Sequence, residues 1–208
     1  LYNKKDLGMH SEVITPSVTE LVKLGVLNCS KKNFYPDKIV TGFAVGTKQF
    51  YEDIDRNDMF EFKKVHWVNK PENIAKNDNF ISINNTLMLD LTGQAASESI
   101  GTKQYSGTGG QVNFNQGAKM SKGGKRILAL ASTYTDKDGN LRSKILPTLP
   151  EGTVVTTTRN EVEYVVTEYG VVNIYLDSLS VRTKKLISIA HPRFRDELTF
   201  EAKKHKWI

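Results

Sequence analysis

The sequence predicts an α/β fold in which helices enclose a sheet. Three features carry that prediction: β-branched segments gather between residues 127 and 167, helical patterns occupy both ends, and residues 39–55 read as a strand leading into a helix.

Thr15-Pro16, followed by Val18, Leu21, Val22 and Gly25, reads as a short amphipathic helix opened by an N1 proline and closed by glycine. Glu12 then sits just ahead of a helix start. Residues 39–45 read as a strand, and residues 46–55 as a helix with Phe50 and Ile54 on one face. The apolar runs 80–83 and 87–91, parted by Asn84-Asn85, predict a hairpin. Gly101, Gly107, Gly109, Gly110, Gly117, Gly123 and Gly124 crowd residues 101–124, which predicts mostly loop. Strands are expected at 127–131, 144–149, 153–158 and 164–167. Helices are expected at 178–190 and 192–204, divided where His191-Pro192 interrupts helical continuity. No repeat or low-complexity linker cuts the chain, so one domain is expected.

Composition narrows the class. At 208 residues the chain can bury about 70% of its extended surface, and 38% hydrophobic residues place it outside the disordered class. The longest apolar run, residues 127–131, is far below the roughly 20 residues of a spanning helix, so no membrane segment is expected. The start at Leu1 suggests a fragment or processed chain whose N-terminal portion is missing. Cys29, the sole cysteine, cannot form an intramolecular disulfide and fits a reducing, cytoplasmic compartment. The triplets Asn28-Cys29-Ser30 and Asn84-Asn85-Thr86 match a glycosylation acceptor only by chance. A net charge of +6 suits an anionic ligand, but its lysines and arginines fall in scattered pairs without a nucleic-acid motif.

His10, His66, His191 and His205 are too dispersed for a familiar metal spacing, so no metal site is expected. His10-Ser11-Glu12 offers the His-x-Glu of a zinc deaminase but lacks the cysteine pair that signature requires. His191 reads as a helix boundary. The glycine-rich run Tyr105-Ser106-Gly107-Thr108-Gly109-Gly110-Gln111 matches neither a Walker loop nor a dinucleotide fingerprint. Its backbone amides can approach an oxyanion closely, although a surface turn explains the composition equally well. Glu12 reads either as a sheltered nucleophile or as an ordinary acid near a helix start.

Five segments alter that balance: Leu7-Gly8-Met9-His10-Ser11-Glu12, Leu89-Asp90-Leu91-Thr92-Gly93-Gln94, the run from Ser106 through Gln111 to Phe114, Val165-Val166-Thr167-Glu168-Tyr169-Gly170, and Ile189-Ala190-His191-Pro192. In this order they resemble the C-terminal half of the acetyl-CoA hydrolase/transferase family. The resemblance implies an open CoA-transferase-type α/β sheet flanked by helices, in a subunit about twice this length. It implies that Glu12 is the covalent nucleophile and that Gly110 helps stabilise the thioester oxygen. Ser106, Gly107, Gly109 and Gly110 are implied CoA contacts, with Lys137 a further one on a loop that aligns poorly. Glu168 is the runner-up carboxylate, in a strand-rich setting that suits a structural or positioning role.

The implied reaction moves CoA between a short-chain acyl-CoA and a carboxylic acid and needs no metal or redox cofactor. Acyl-CoA hydrolysis by the same glutamate is the alternative; a non-enzymatic CoA-binding module is a further one. The implied partners are the acyl-CoA, a short-chain carboxylate, the N-terminal half of the same subunit, and another subunit in a homo-oligomer, with no nucleic acid or membrane. Without the other half, this segment is expected to be weakly active or inactive.

Overall fold

A computed structural model describes Leu1–Ile208 and groups them into two compact units where one domain was expected. The first comprises Leu1–Phe80 with Gln116–Gly124, and the second Ile81–Asn115 with Lys125–Ile208. No helix is long and apolar enough to cross a membrane.

The first unit runs β1 (His10–Ile14), α1 (Pro16–Lys23), β2 (Ile39–Ala44), α2 (Lys48–Ile54), β3 (Phe60–Phe62), α3 (Val65–Val68) and α4 (Pro71–Ile74). Its parallel sheet has the order β1-β2-β3, in which β1 is an edge strand. Pro16 opens α1, where an absent N–H costs nothing. The Thr47 hydroxyl caps α2 by accepting from the Phe50 amide at 3.3 Å. Ile14, Val18, Leu27, Cys29, Ile39, Phe50 and Phe60 close the core beneath the sheet.

The second unit contains β4 (Ile81–Asn85), β5 (Met88–Asp90), β6 (Ala95–Ala96), β7 (Ser99–Ile100) and β8 (Lys103–Gln104). Helix α5 (Gln111–Met120) begins here and ends in the first unit. The second unit continues through β9 (Lys125–Ala129), β10 (Thr133–Thr135), β11 (Leu141–Ser143), β12 (Ile145–Leu146), β13 (Tyr164–Thr167), β14 (Gly170–Asn173), α6 (Leu179–Ser188) and α7 (Pro192–Lys204). Its largest sheet has the order β14-β13-β9-β4, with β4, β9 and β13 parallel and β14 antiparallel to β13. Leu128, Val165, Ile174, Leu186 and Leu198 are fully buried in the core shared with α6 and α7.

Three sequence expectations are corrected. Residues 80–91 do not form a hairpin: β4 pairs with β9, whereas β5 joins a separate sheet of order β12-β5-β6. Buried Thr86 redirects the chain, its hydroxyl donating to the carbonyls of Met88 (3.2 Å) and Ala96 (2.9 Å). Residues 101–124 are only half loop, because α5 occupies ten of them and β8 two. Gly117 lies inside that helix as a packing residue: a Cβ there would stand 2.5 Å from Ile74 Cβ. Residues 153–158 make only one bridge, Ala95 to Thr157. Side-chain oxygens replace the ladder, with Ser99 accepting from the Val154 amide and Thr153 from the Gly101 amide, each at 2.8 Å.

Candidate active site

Glu12 lies in the middle of β1, a strand whose polar run His10-Ser11-Glu12 lacks the apolar alternation that would announce it. Residues i and i+2 of a strand share a face, so His10 and Glu12 act on one neighbour. His10 Nε2 donates to the Val68 carbonyl at 2.7 Å, and Glu12 Oε2 accepts from Asn69 Nδ2 at 2.5 Å. Both partners stand at the C-terminal end of α3, where the Asn69 amide closes the helix on Val65 O at 2.8 Å.

Gly42 permits that approach. It sits on β2 where an added Cβ would lie 2.9 Å from Val65 Cγ2 and 3.0 Å from the Glu12 carbonyl. Glycine therefore lets α3 pack against the sheet closely enough for Asn69 to reach the carboxylate. The second amide atom, Asn69 Oδ1, is buried without a hydrogen-bond partner. Burial pulls His10 down to about 4, so the imidazole is neutral near pH 7. Its bond to a carbonyl, which can only accept, places the proton on Nε2.

In the second unit, hairpin β7–β8 presents the glycine-rich loop. The Glu98 carbonyl accepts from the Tyr105 (2.8 Å) and Ser106 (3.2 Å) amides, holding the loop's first residues. Beyond them, added Cβ atoms at Gly107 and Gly109 would meet nothing within 4 Å. Gly109 has φ +56°, where glycine avoids the strain of a side chain. Gly110 is buried and its carbonyl accepts from the Phe114 amide at 2.9 Å, forming the first turn of α5. The N–H groups from Gly110 to Asn113 consequently have no carbonyl within the helix to bond, and the helix dipole makes this end attractive to negative charge. Gln111 Nε2 fastens the turn by donating to Thr157 Oγ1 at 2.9 Å.

Ser106, Gly107, Gly109 and Gly110 thus share one loop of the second unit, while Glu12 belongs to the first. Lys137 stands exposed on the turn joining β10 to β11. Asp136 organises that turn by accepting from the Asp138 (3.0 Å) and Asn140 (2.8 Å) amides. Glu168 accepts from the Ser132 amide at 2.8 Å and its hydroxyl at 2.5 Å. Desolvation raises this carboxyl, but the Ser132 hydrogen bonds prevail and hold it below the usual range.

The remaining motif segments are bound into the fold. Asp90 Oδ1 accepts from the Thr92 amide, Thr92 hydroxyl and Gln94 amide at 2.7–3.0 Å. Thr167 Oγ1 donates to Ile189 O at 2.6 Å, and the Tyr169 and His191 rings meet edge to face at 5.3 Å. His191 also marks the helix boundary expected of it, its Nδ1 accepting from the Arg193 amide at 3.2 Å. Sequence reasoning missed Asn69. Its only local signal is an asparagine ahead of Lys70-Pro71, which suggests a helix end without indicating Glu12.

The acetyl-CoA hydrolase/transferase C-terminal domain model matches residues 46–202. A 4-hydroxybutyrate coenzyme A transferase of Clostridium kluyveri is 53% identical over 204 residues, covering 98% of this chain and 47% of that protein. RipA from Yersinia pestis superposes with a TM-score of 0.91 at 41% identity, over 100% of this chain and 46% of that one. A 4-hydroxybutyrate CoA-transferase from Porphyromonas gingivalis gives a TM-score of 0.82 at 41% identity, over 97% and 46%. Fold and comparisons together define an α/β domain of the CoA-transferase type. The chain belongs to the acetyl-CoA hydrolase/transferase family, and it spans about half the length of the curated relative matched above.

Proposed function

We propose that the intact subunit carrying this chain transfers CoA between a short-chain acyl-CoA, such as 4-hydroxybutyryl-CoA, butyryl-CoA or acetyl-CoA, and a carboxylic acid such as acetate. The observation that carries this reading is the half-buried Glu12 carboxylate, oriented by Asn69. A carboxylate so held loses less freedom on reaching the attacking geometry.

In the proposed sequence, Glu12 attacks the thioester carbonyl, and the C–S bond breaks to leave a mixed anhydride and CoA thiolate. The thiolate attacks the Glu12 carbonyl and releases the first acid, leaving a glutamyl-CoA thioester. The acceptor carboxylate attacks that thioester to form a new anhydride and free thiolate; attack by the thiolate on the acceptor's carbonyl then forms the new acyl-CoA and restores Glu12. Each tetrahedral species carries an oxyanion. The free amides at Gly110 and the start of α5 are suited to stabilise that charge, and Ser106, Gly107, Gly109 and Lys137 are the proposed CoA contacts.

Consumption of butyryl-CoA by the intact subunit, followed with and without acetate, tests the reading. Acetate-dependent consumption with stoichiometric acetyl-CoA formation is expected. Equal CoA release without acetate would replace transferase with hydrolase, and saturable CoA binding without turnover would reduce the assignment to a binding module.

A further inference from the structure

We propose that Lys32 is a positioning residue for Glu12, its side-chain nitrogen tying the entry of β1 to the entry of β2. The proposal rests on the reading of Glu12 as the nucleophile.

Lys32 Nζ donates to the Met9 carbonyl at 2.9 Å and to the Lys38 carbonyl at 2.6 Å. Met9 immediately precedes β1 and Lys38 immediately precedes β2. The same Met9 carbonyl accepts from the Val40 amide at 3.3 Å, so the lysine bond lies at the first rung of the β1–β2 pair. As an edge strand, β1 has a ladder on one side only, and its position depends heavily on side-chain ties. His10 and Glu12 fasten the strand itself to α3, whereas Lys32 fastens Met9, the residue that leads into it.

Gly8 makes room for this tie. An added Cβ there would stand 2.5 Å from Lys32 Cγ and 3.0 Å from its Cδ, so the glycine of Gly8-x-His10-Ser11-Glu12 leaves a path for the lysine stem. Lys32 turns back toward the strands through its own amide, which donates to Cys29 O at 3.2 Å, after Cys29 has adopted φ +58°.

The titratable groups coupled to the nitrogen are Cys29 and His10. Burial pushes the Cys29 thiol up and the imidazole down, which keeps both neutral near pH 7. Asp37 acts on this cluster through Cys29, pushing the thiol further up. Burial also lowers Lys32 itself to about 8. At neutral pH its bonds to the two carbonyls are charge-assisted, and above pH 8 they weaken as the ammonium loses its proton.

The test uses the intact subunit and compares wild type, Lys32→Met, Lys32→Arg, the exposed-lysine control Lys31→Met and Glu12→Gln. Steady-state kcat and KM for acyl-CoA are measured from pH 6 to 9.5. Lys32→Met is expected to lose about 10–100-fold in kcat with KM changed less than about threefold, as misplacement of a nucleophile produces. Lys31→Met should match wild type. The arginine variant should retain more of its neutral-pH rate at pH 9 than wild type does, because guanidinium remains charged. Should Lys32→Met fail to fold, Gly8→Ala displaces the same stem and is expected to lower kcat in the same manner. A kcat within about twofold of wild type for folded Lys32→Met, or for Gly8→Ala in its place, overturns the proposal if Glu12→Gln is inactive. An active Glu12→Gln instead overturns the nucleophile reading, and this proposal with it.

Discussion

Asn69 Nδ2 donates a 2.5 Å hydrogen bond to Glu12 Oε2 from 57 residues further along the chain. Two residues earlier on the same strand, His10 bonds the carbonyl of Val68, Asn69's neighbour. A carboxylate and an imidazole spaced by one strand repeat therefore grip one helix end, which couples the local geometry at Glu12 to the position of α3.

Glu12→Gln retains the side chain's size and its capacity to accept from Asn69, but its amide cannot act as a carboxylate nucleophile. Transfer by the intact subunit should fall about 1,000-fold or more while circular dichroism and thermal unfolding remain near wild type. Near-normal turnover by a folded variant would refute the assignment.

Asn69→Ala removes the donor that orients Glu12. The expected result is a fall of about 10–100-fold in kcat, larger than any rise in KM for acyl-CoA, because the contact acts on the proposed nucleophile. A change confined to KM would assign Asn69 to substrate binding instead.

His10 contributes a pH dependence of defined sign. Its folded value of about 4 lies below the ordinary 6.5, so the unfolded chain takes up the proton first as acid is added. Stability is fully present above pH 6.5 and declines as pH falls towards 4, by up to about 3 kcal/mol from this group. Urea midpoints measured between pH 7 and 4 should show that loss in wild type and a shallower one in His10→Gln.

Gly117→Ala places a methyl group against Ile74 in a helix where alanine would otherwise be favourable. Overpacking should outweigh propensity and destabilise the fold by about 1–3 kcal/mol. Chemical denaturation of the intact subunit checks this, and a stabilised variant would show that Ile74 yields easily.

Local patterns were informative where neighbours along the chain determine the structure. Pro192 and the basic end at Lys204 bound α7 as expected, Pro16 opens α1, and β-branched residues build β13. The same local reasoning failed for residues 101–124 because glycine has two uses: Gly109 permits a positive φ, while Gly117 permits a helix to touch Ile74. Composition registers both identically. The expected hairpin at 80–91 failed for a related reason, since β4 takes its partner from β9, far along the chain, and β5 pairs with β6 and β12 instead of β4.

By itself the sequence determined the family, through five ordered segments, and singled out Glu12 and the Ser106–Gly110 loop as the residues to examine. Tertiary structure alone decided which neighbours these residues meet. Asp90 and Thr167 satisfy backbone groups, Gly8 leaves a path for Lys32, and Asn69 meets Glu12. The physical reason is range: caps, turns and backbone dihedrals depend on adjacent residues, whereas the orientation of a half-buried carboxylate depends on whichever distant side chain the packing of β1 against α3 delivers to it.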